Sequence, residues 1–376
     1  MAIATRAPVQ GVALQFKQFI KNIRPKDKRL DAAQRYPTLA RDFLKRTGLL
    51  ATVDPHSRLT GSYGREIAIH EIKDVDFVVC LDPKYRGLGA TRALEDLKTA
   101  LDAMANELEK DLSETLEVEL REQRRSVRVK FVDEDFYLDV VPVLIRQEDP
   151  DGVEGTLDVP DREWKSWQPT ACVGYSQAFS DLNGEAGGKL IGLMMILKHW
   201  RWKWLKRNQA KSFWIEALVV DLIRSGAIIF KDKSLAEVVA NAFSAIENRC
   251  APYLAFADAK PFIPDPMIPL LNRNVAFNWE RGDFETFMRR IDEAVTQSTK
   301  AVAATTAADA VTAWQKLFGD EWFPTTIEEE TKAANAAALA AATAVSRTGA
   351  VILNPGPQVH ATPTPAHKYH GEEESR

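Results

Sequence analysis

A chain of 376 residues with 49 basic and 53 acidic side chains, net charge −4, can bury a large core and has the length of two domains. This balance excludes a protein that coats nucleic acid over its whole surface, although local basic patches leave room for a nucleic-acid activator. Cys80, Cys172 and Cys250 stand in apolar contexts without CxxC or His spacing, and no apolar run reaches the ~18 residues of a membrane helix. With no signal peptide at the N-terminus, the expectation is a soluble cytoplasmic protein without disulfides, structural zinc or membrane contact.

Residues 8–25 carry Val12, Leu14, Phe16, Phe19, Ile20 and Ile23 at roughly helical spacing, and DAAQRYPTLARDFLKRTG reads as a second helix ending at Gly48. HSRLT then reads as the end of a strand or a turn. Gly61 and Ser62 follow: the glycine permits close backbone approach, the serine offers a hydroxyl and a main-chain N–H, and YGREIAI is expected to start a helix whose N-terminus holds anions.

DVDFVVCL is the most informative run. Asp74 and Asp76 open an otherwise apolar strand, and positions two apart point to one face, where two carboxylates repel one another unless a cation sits between them. The natural ion is Mg²⁺, which takes carboxylate oxygens and keeps its other positions for water and phosphates. The plainer alternative is the solvated end of a strand.

Residues 91–116 form a long amphipathic helix, and VRVKFVDEDFYLDVVPVLI reads as a hairpin whose turn holds Asp133, Glu134 and Asp135. On its second strand Asp139 stands alone among Phe136, Leu138, Val140 and Val141, where no turn explains it. If the two acid-bearing strands are neighbours, register can bring Asp139 to the face of Asp74 and Asp76. Three carboxylates clamping two metals about 4 Å apart suit in-line attack of a hydroxyl on a phosphate. Asp133 and Asp135 compete for the third place.

The polar stretch from Gln147 to Trp167 reads as a loop with a domain boundary near its end. From Ser176 to Phe323 the periodicity is helical. Within it, LMMILKHWRWKWLKRNQAKSFWIEALVVDLI is an amphipathic helix, a basic connection and a second helix; read from charge alone, Trp200 and Trp204 go to the core and Lys198, Arg201, Lys203, Lys206 and Arg207 face water. The last fifty residues are alanine-rich, then Pro-rich and polar, and read as a disordered tail in which His360, His367 and His370 are scattered rather than ligands.

Together TGSYGREIAI, DVDFVVCL and YLDVVPV resemble the polymerase-β-like nucleotidyltransferases, and within them the branch of oligoadenylate synthetases, cyclic GMP–AMP synthase and the bacterial CD-NTases of the anti-phage defence system CBASS. Glu66 and Ile67 depart from that branch, which more often has Gly and Thr. The resemblance implies an α+β fold: a nucleotidyltransferase core of mixed sheet and flanking helices over 1–170, a helical domain over 171–325 and the tail over 326–376. It implies a catalytic and metal-holding set of Asp74, Asp76 and Asp139 with two Mg²⁺ ions, for which Mn²⁺ substitutes. It also implies a nucleotide site of Gly61, Ser62, Lys198 and Ser212, with Phe213 stacking on a base. The implied reaction joins NTPs, ATP or GTP, into a cyclic di- or trinucleotide with release of pyrophosphate. A regulatory protein engaging the tail is part of the same expectation. A linear oligoadenylate synthetase, an RNA-directed nucleotidyltransferase and a catalytically dead sensor scaffold are the alternatives.

Overall fold

The computed structural model describes residues 11–325 apart from 71, 73, 112–116, 147–151, 153–154, 207–208, 257–258 and 268–272. The tail expected over 326–376, with its three histidines, lies outside the described residues. The apolar spacing near the N-terminus produces α1 (Gly11–Ile23) and α2 (Asp27–Thr47). Gly48 closes α2 at φ 61°, its N–H donating to the Leu44 carbonyl, a left-handed C-cap that glycine adopts without a Cβ clash.

The sheet follows: β1 (Thr52–Thr60), then the one-turn helix α3 (Gly61–Gly64), then β2 (Asp74–Leu81). After α4 (Tyr85–Leu88) and α5 (Ala90–Asp111) come β3 (Val118–Glu122), β4 (Val127–Phe131) and β5 (Phe136–Ile145). The strand order is β1-β2-β5-β4-β3, with β2 and β5 parallel and the other neighbours antiparallel. Alternation divides β2 cleanly. Val75, Phe77, Val79 and Leu81 join Phe136, Leu138 and Val140 in a core roofed by α2 and α5, while Val78 and Cys80 pack in a smaller cluster on the opposite face. Asp74 and Asp76 share the parity of Val78 and Cys80, so they are displayed away from the helical roof.

Two expectations need correction. The helix after the Gly-Ser pair ends after one turn, because Glu66 takes φ 60° and Ile67, Ala68 and Ile69 are drawn inward to buried positions. The polar loop expected over 147–167 contains β6 (Leu157–Asp161), and β7 (Ser166–Thr170) begins before its end. All five β6 residues are buried. Its acids survive burial by pairing: Asp158 accepts from Arg86 at 2.9 Å and Arg146 at 2.7 Å, and Asp161 from Arg124 at 2.8 Å and Arg125 at 3.0 Å. A buried carboxylate with two guanidinium partners is a stable strand residue, yet in sequence it looks like a turn.

The remainder is helical: α6 (Cys172–Glu185), α7 (Lys189–Trp204), α8 (Ser212–Arg224), α9 (Leu235–Cys250), α10 (Arg281–Ala303) and α11 (Ala307–Phe318). Helix α1 packs here and not on the sheet. Phe16 meets Trp314 edge-on at 5.0 Å, and Phe19 stacks on Phe318 at 4.8 Å. The end of the described chain returns to the segment before β2: Trp322 stacks on His70 at 4.2 Å, and Asn22 donates to the Trp322 carbonyl at 2.9 Å. Buried His199 donates through Nε2 to the Phe318 carbonyl at 2.9 Å, which leaves its Nδ1 to accept from His70 at 3.3 Å. Burial lowers the His199 pKa to about 4 and keeps that ring neutral. Among the described residues no helix is long and apolar enough to cross a membrane.

Phe19 tests this arrangement. Phe19→Ala is expected to cost about 3–5 kcal/mol of stability, the range for emptying a buried ring site. Urea unfolding should show the midpoint falling with little change in slope.

Candidate active site

The parallel pairing of β2 and β5 sets Asp76 directly opposite Asp139 and Asp74 opposite Tyr137. Three carboxylates therefore share one sheet face, graded in exposure. Asp74 is exposed at the strand's start, Asp76 is half-buried and Asp139 is buried. Burial pushes the Asp76 carboxyl up to about 6, with Asp139 and Asp74 repelling its charge in the same direction and Arg65 and Arg128 opposing.

Gly61 lies against this group. Its φ of +65° favours glycine, and a Cβ built there would fall 1.8 Å from Asp76 Oδ2, so any side chain would displace the carboxylate. Ser62 follows at the start of α3.

Across the cleft stand the helical residues. Gly61, Ser62, Asp74, Asp76, Lys198, Ser212 and Phe213 all line one cavity of about 700 Å³. Asp139, buried and paired in register with Asp76, is not among the lining residues. Lys198 is buried on α7, not turned to water as its charge alone suggests, and has no hydrogen bond or ion pair to a described residue. Desolvation pushes its ammonium down to about 8, partly offset by Glu216. Such a cation, lining the cavity, is matched to an anion. Ser212 opens α8, and the ring of Phe213 is 39% exposed, so it is not a core residue. The Tyr175 ring stands at right angles to it, with centroids 6.0 Å apart.

Several residues of this cleft escaped the sequence reading. Arg65 binds Glu216 through Nε at 2.6 Å, joining the segment after α3 to α8, and its guanidinium lies 4.7 Å above the Tyr175 ring. Both partners are nearly fully buried. Arg128 grips Asp139 with Nε at 2.7 Å and Nη2 at 2.6 Å, and the same Nη2 lies 3.6 Å from Asp74. Here a signal existed: once the turn pairs Phe131 with Phe136, counting back along the hairpin puts Arg128 against Asp139. Asp135, a competitor for the third acid, sits in that turn at φ 45° and accepts from the Tyr137 hydroxyl at 3.2 Å.

The donors are carboxylate oxygens alone, which suits a hard divalent cation and not zinc or copper. Like charge around Asp76 is the strain such an ion relieves. Among the described residues no set of three side chains is already gathered around an ion position; Arg128 holds Asp139 instead.

Comparison with known proteins bears on the chain as a whole. A family model described as the Second Messenger Oligonucleotide or Dinucleotide Synthetase domain matches residues 11–183. A cyclic AMP-AMP-AMP synthase of an Acinetobacter species is 25% identical over 355 residues, 92% of this chain and 94% of that protein. In solved structures, CdnC of E. coli MS115-1 in complex with HORMA-deltaN aligns with TM-score 0.60 and 21% identity over 82% of this chain and 96% of its own. The Bradyrhizobium diazoefficiens CD-NTase CdnG, in complex with GTP, aligns with TM-score 0.58 and 14% identity over 86% and 99%. The chain is similar to the CD-NTases. At these identities the structural likeness is one of fold, and it covers both the sheet and the helices of this chain.

The double change Asp74→Asn with Asp76→Asn should leave a folded protein whose melting temperature in EDTA holds or rises. Asp76 also fixes a pH dependence. Its folded pKa lies above its unfolded value, so its contribution to stability is fully present below about 4 and is lost as pH rises through about 6. A rise of that size corresponds to about 2–3 kcal/mol. Asp76→Asn should therefore stabilise the metal-free protein at pH 7 and lose that advantage at pH 4, as denaturant titrations at both values will show.

Proposed function

We propose that this protein is a CD-NTase that joins nucleoside triphosphates into a cyclic oligonucleotide with release of pyrophosphate, as a signal-generating enzyme of anti-phage defence. The observation that carries the reading is the register of Asp76 against Asp139, with Asp74 beside them, in one cleft with a buried lysine and a partly exposed aromatic ring. ATP is the substrate favoured, because the curated relative is a cyclic AMP-AMP-AMP synthase and CdnC is known in a structure with ATP. GTP, present in the CdnG structure, is second. For the same reason the cyclic trinucleotide is favoured over the dinucleotide.

In this mechanism the donor triphosphate lies against the Gly61–Ser62 turn, where a side chain at Gly61 would block approach. Lys198 supplies positive charge to the phosphates, the Ser212 hydroxyl donates to them, and Phe213 stacks on the base. Asp74 and Asp76 would hold one Mg²⁺, and all three acids a second; Mn²⁺ substitutes. Bound there, these ions lower the pKa of the attacking ribose hydroxyl and neutralise charge at the leaving pyrophosphate. Gly61 keeps Asp76 pressed to the turn, so that phosphate and carboxylate are held within one short reach. Arg65 and Glu216 keep α8, with Ser212 and Phe213, in place over that turn. The complex of CdnC with HORMA-deltaN supports the further reading that a regulatory protein engages this chain, with the tail after residue 325 as its handle.

The deciding experiment incubates the protein with each labelled NTP and Mg²⁺ or Mn²⁺, treats the mixture with phosphatase and weighs what remains. A phosphatase-resistant ring supports the proposal, linear products indicate an oligonucleotide synthetase, and no product indicates a scaffold. Asp139→Ala should abolish turnover, whereas Asp133→Ala and Asp135→Ala should keep most of it. Phe213→Ala should weaken nucleotide binding by about 1–3 kcal/mol, the range for base–aromatic stacking, with little change in melting temperature.

Lys198 gives a separate test through pH. Its ammonium loses its proton above about 8 in the free protein, and phosphate binding draws on the charged form. ATP affinity measured by calorimetry should therefore fall as pH rises through 8. Lys198→Arg, charged throughout, should flatten that fall.

A further inference from the structure

Arg128 is the cation in direct contact with the acid cluster. It comes from β4, in register with Asp139, and takes both oxygens of that carboxylate in a two-pronged grip at 2.7 and 2.6 Å. Its Nη2 also reaches to 3.6 Å from Asp74. One guanidinium thus touches two of the three acids, while the third, Asp76, faces Asp139 across the β2–β5 pairing. The side chain is only 23% exposed, and its guanidinium carbon lies 4.9 Å above the Tyr137 ring. That ring gives the cation a second favourable contact on the same face.

A bidentate guanidinium uses the two oxygens of a carboxylate together. A divalent ion placed among Asp74, Asp76 and Asp139 meets a positive charge already on two of those groups. We propose that Arg128 is the resident cation of the metal-free acid cluster, a positioning residue that holds Asp139 in line and yields its oxygens as the metals bind. On this account the grip keeps three like charges folded against one sheet face until substrate and metal arrive. It also weakens metal binding in the absence of nucleotide, since each ion must displace or crowd a guanidinium. The inference rests on the reading of the three acids as the metal site.

Mn²⁺ binding to the nucleotide-free protein, followed by electron paramagnetic resonance, separates the two ideas. Asp76→Asn comes first: if it leaves Mn²⁺ binding unchanged, the metal-site reading fails, whatever Arg128 does. If Asp76→Asn abolishes binding, Arg128→Met decides. That variant keeps the apolar stem and removes the charge, and it should bind Mn²⁺ roughly threefold or more tightly, as expected when a like charge leaves a half-exposed site. The gain should vanish in the Arg128→Met, Asp139→Asn double variant. Unchanged or weaker Mn²⁺ affinity in a folded Arg128→Met protein overturns the proposal.

A second measurement needs no destabilising change. The Nε–H resonance of Arg128 in the wild-type protein, assigned by its loss in Arg128→Lys, should be protected from solvent exchange without metal. It should shift and lose that protection as Mg²⁺ saturates the site. A resonance that keeps its position and protection at saturation equally overturns the proposal.

Discussion

The structure depends on one unfavourable juxtaposition, a carboxylate on β2 set against a carboxylate on β5 by the pairing of two parallel strands. Parallel neighbours are stable only when both faces are covered, and here the roof of α2 and α5 covers one while the other turns its acids into the cleft. Folding must therefore complete the sheet and concentrate negative charge in the same act. Three devices make this tolerable: Asp74 stays at the solvated start of its strand, Asp76 resists ionisation, and Asp139 is held by Arg128. Gly61 adds a constraint of shape, since the turn it makes occupies the space beside the Asp76 carboxylate.

The ion pair of Arg65 and Glu216 does a comparable task between the sheet and the helices. Its partners are 151 residues apart in sequence and both buried. A buried pair of this kind contributes little net stability compared with an apolar packing, but losing one partner strands a charge at a cost of about 3–5 kcal/mol. Its value is therefore geometric. It fixes α8, and with it the serine and phenylalanine at its N-terminal end, relative to the Gly-Ser turn.

The Gly-Ser turn, the two acids and the hairpin were legible in the sequence because each depends on near neighbours: parity puts Asp74 and Asp76 on one face, and a turn between two apolar runs makes the hairpin. Elements stabilised by distant partners were not. Strand β6 reads as a loop because Asp158 and Asp161 look solvated until Arg86, Arg146, Arg124 and Arg125 are brought to them. The helix expected after Ser62 stops short because Ile67 and Ile69 gain more from burial in the helical core than from another turn. Arg128 lay between these cases: its partner follows from counting back from the hairpin turn, but no local pattern marks it. Lys198 likewise reads as one charge among five on a basic helix, and only the packing of α7 separates it from the others.

The stack of Trp322 on His70 gives the last described turn a hold on the approach to β2. His70 lies four residues before Asp74, and its backbone N–H also donates to the carbonyl of Ile23 at 2.7 Å, so α1, the last described turn and the approach to β2 are tied at one knot. The knot marks a boundary for anyone reshaping the protein. A cut placed a few residues before Thr325 removes Trp322, and with it both the stack on His70 and the carbonyl that accepts from Asn22.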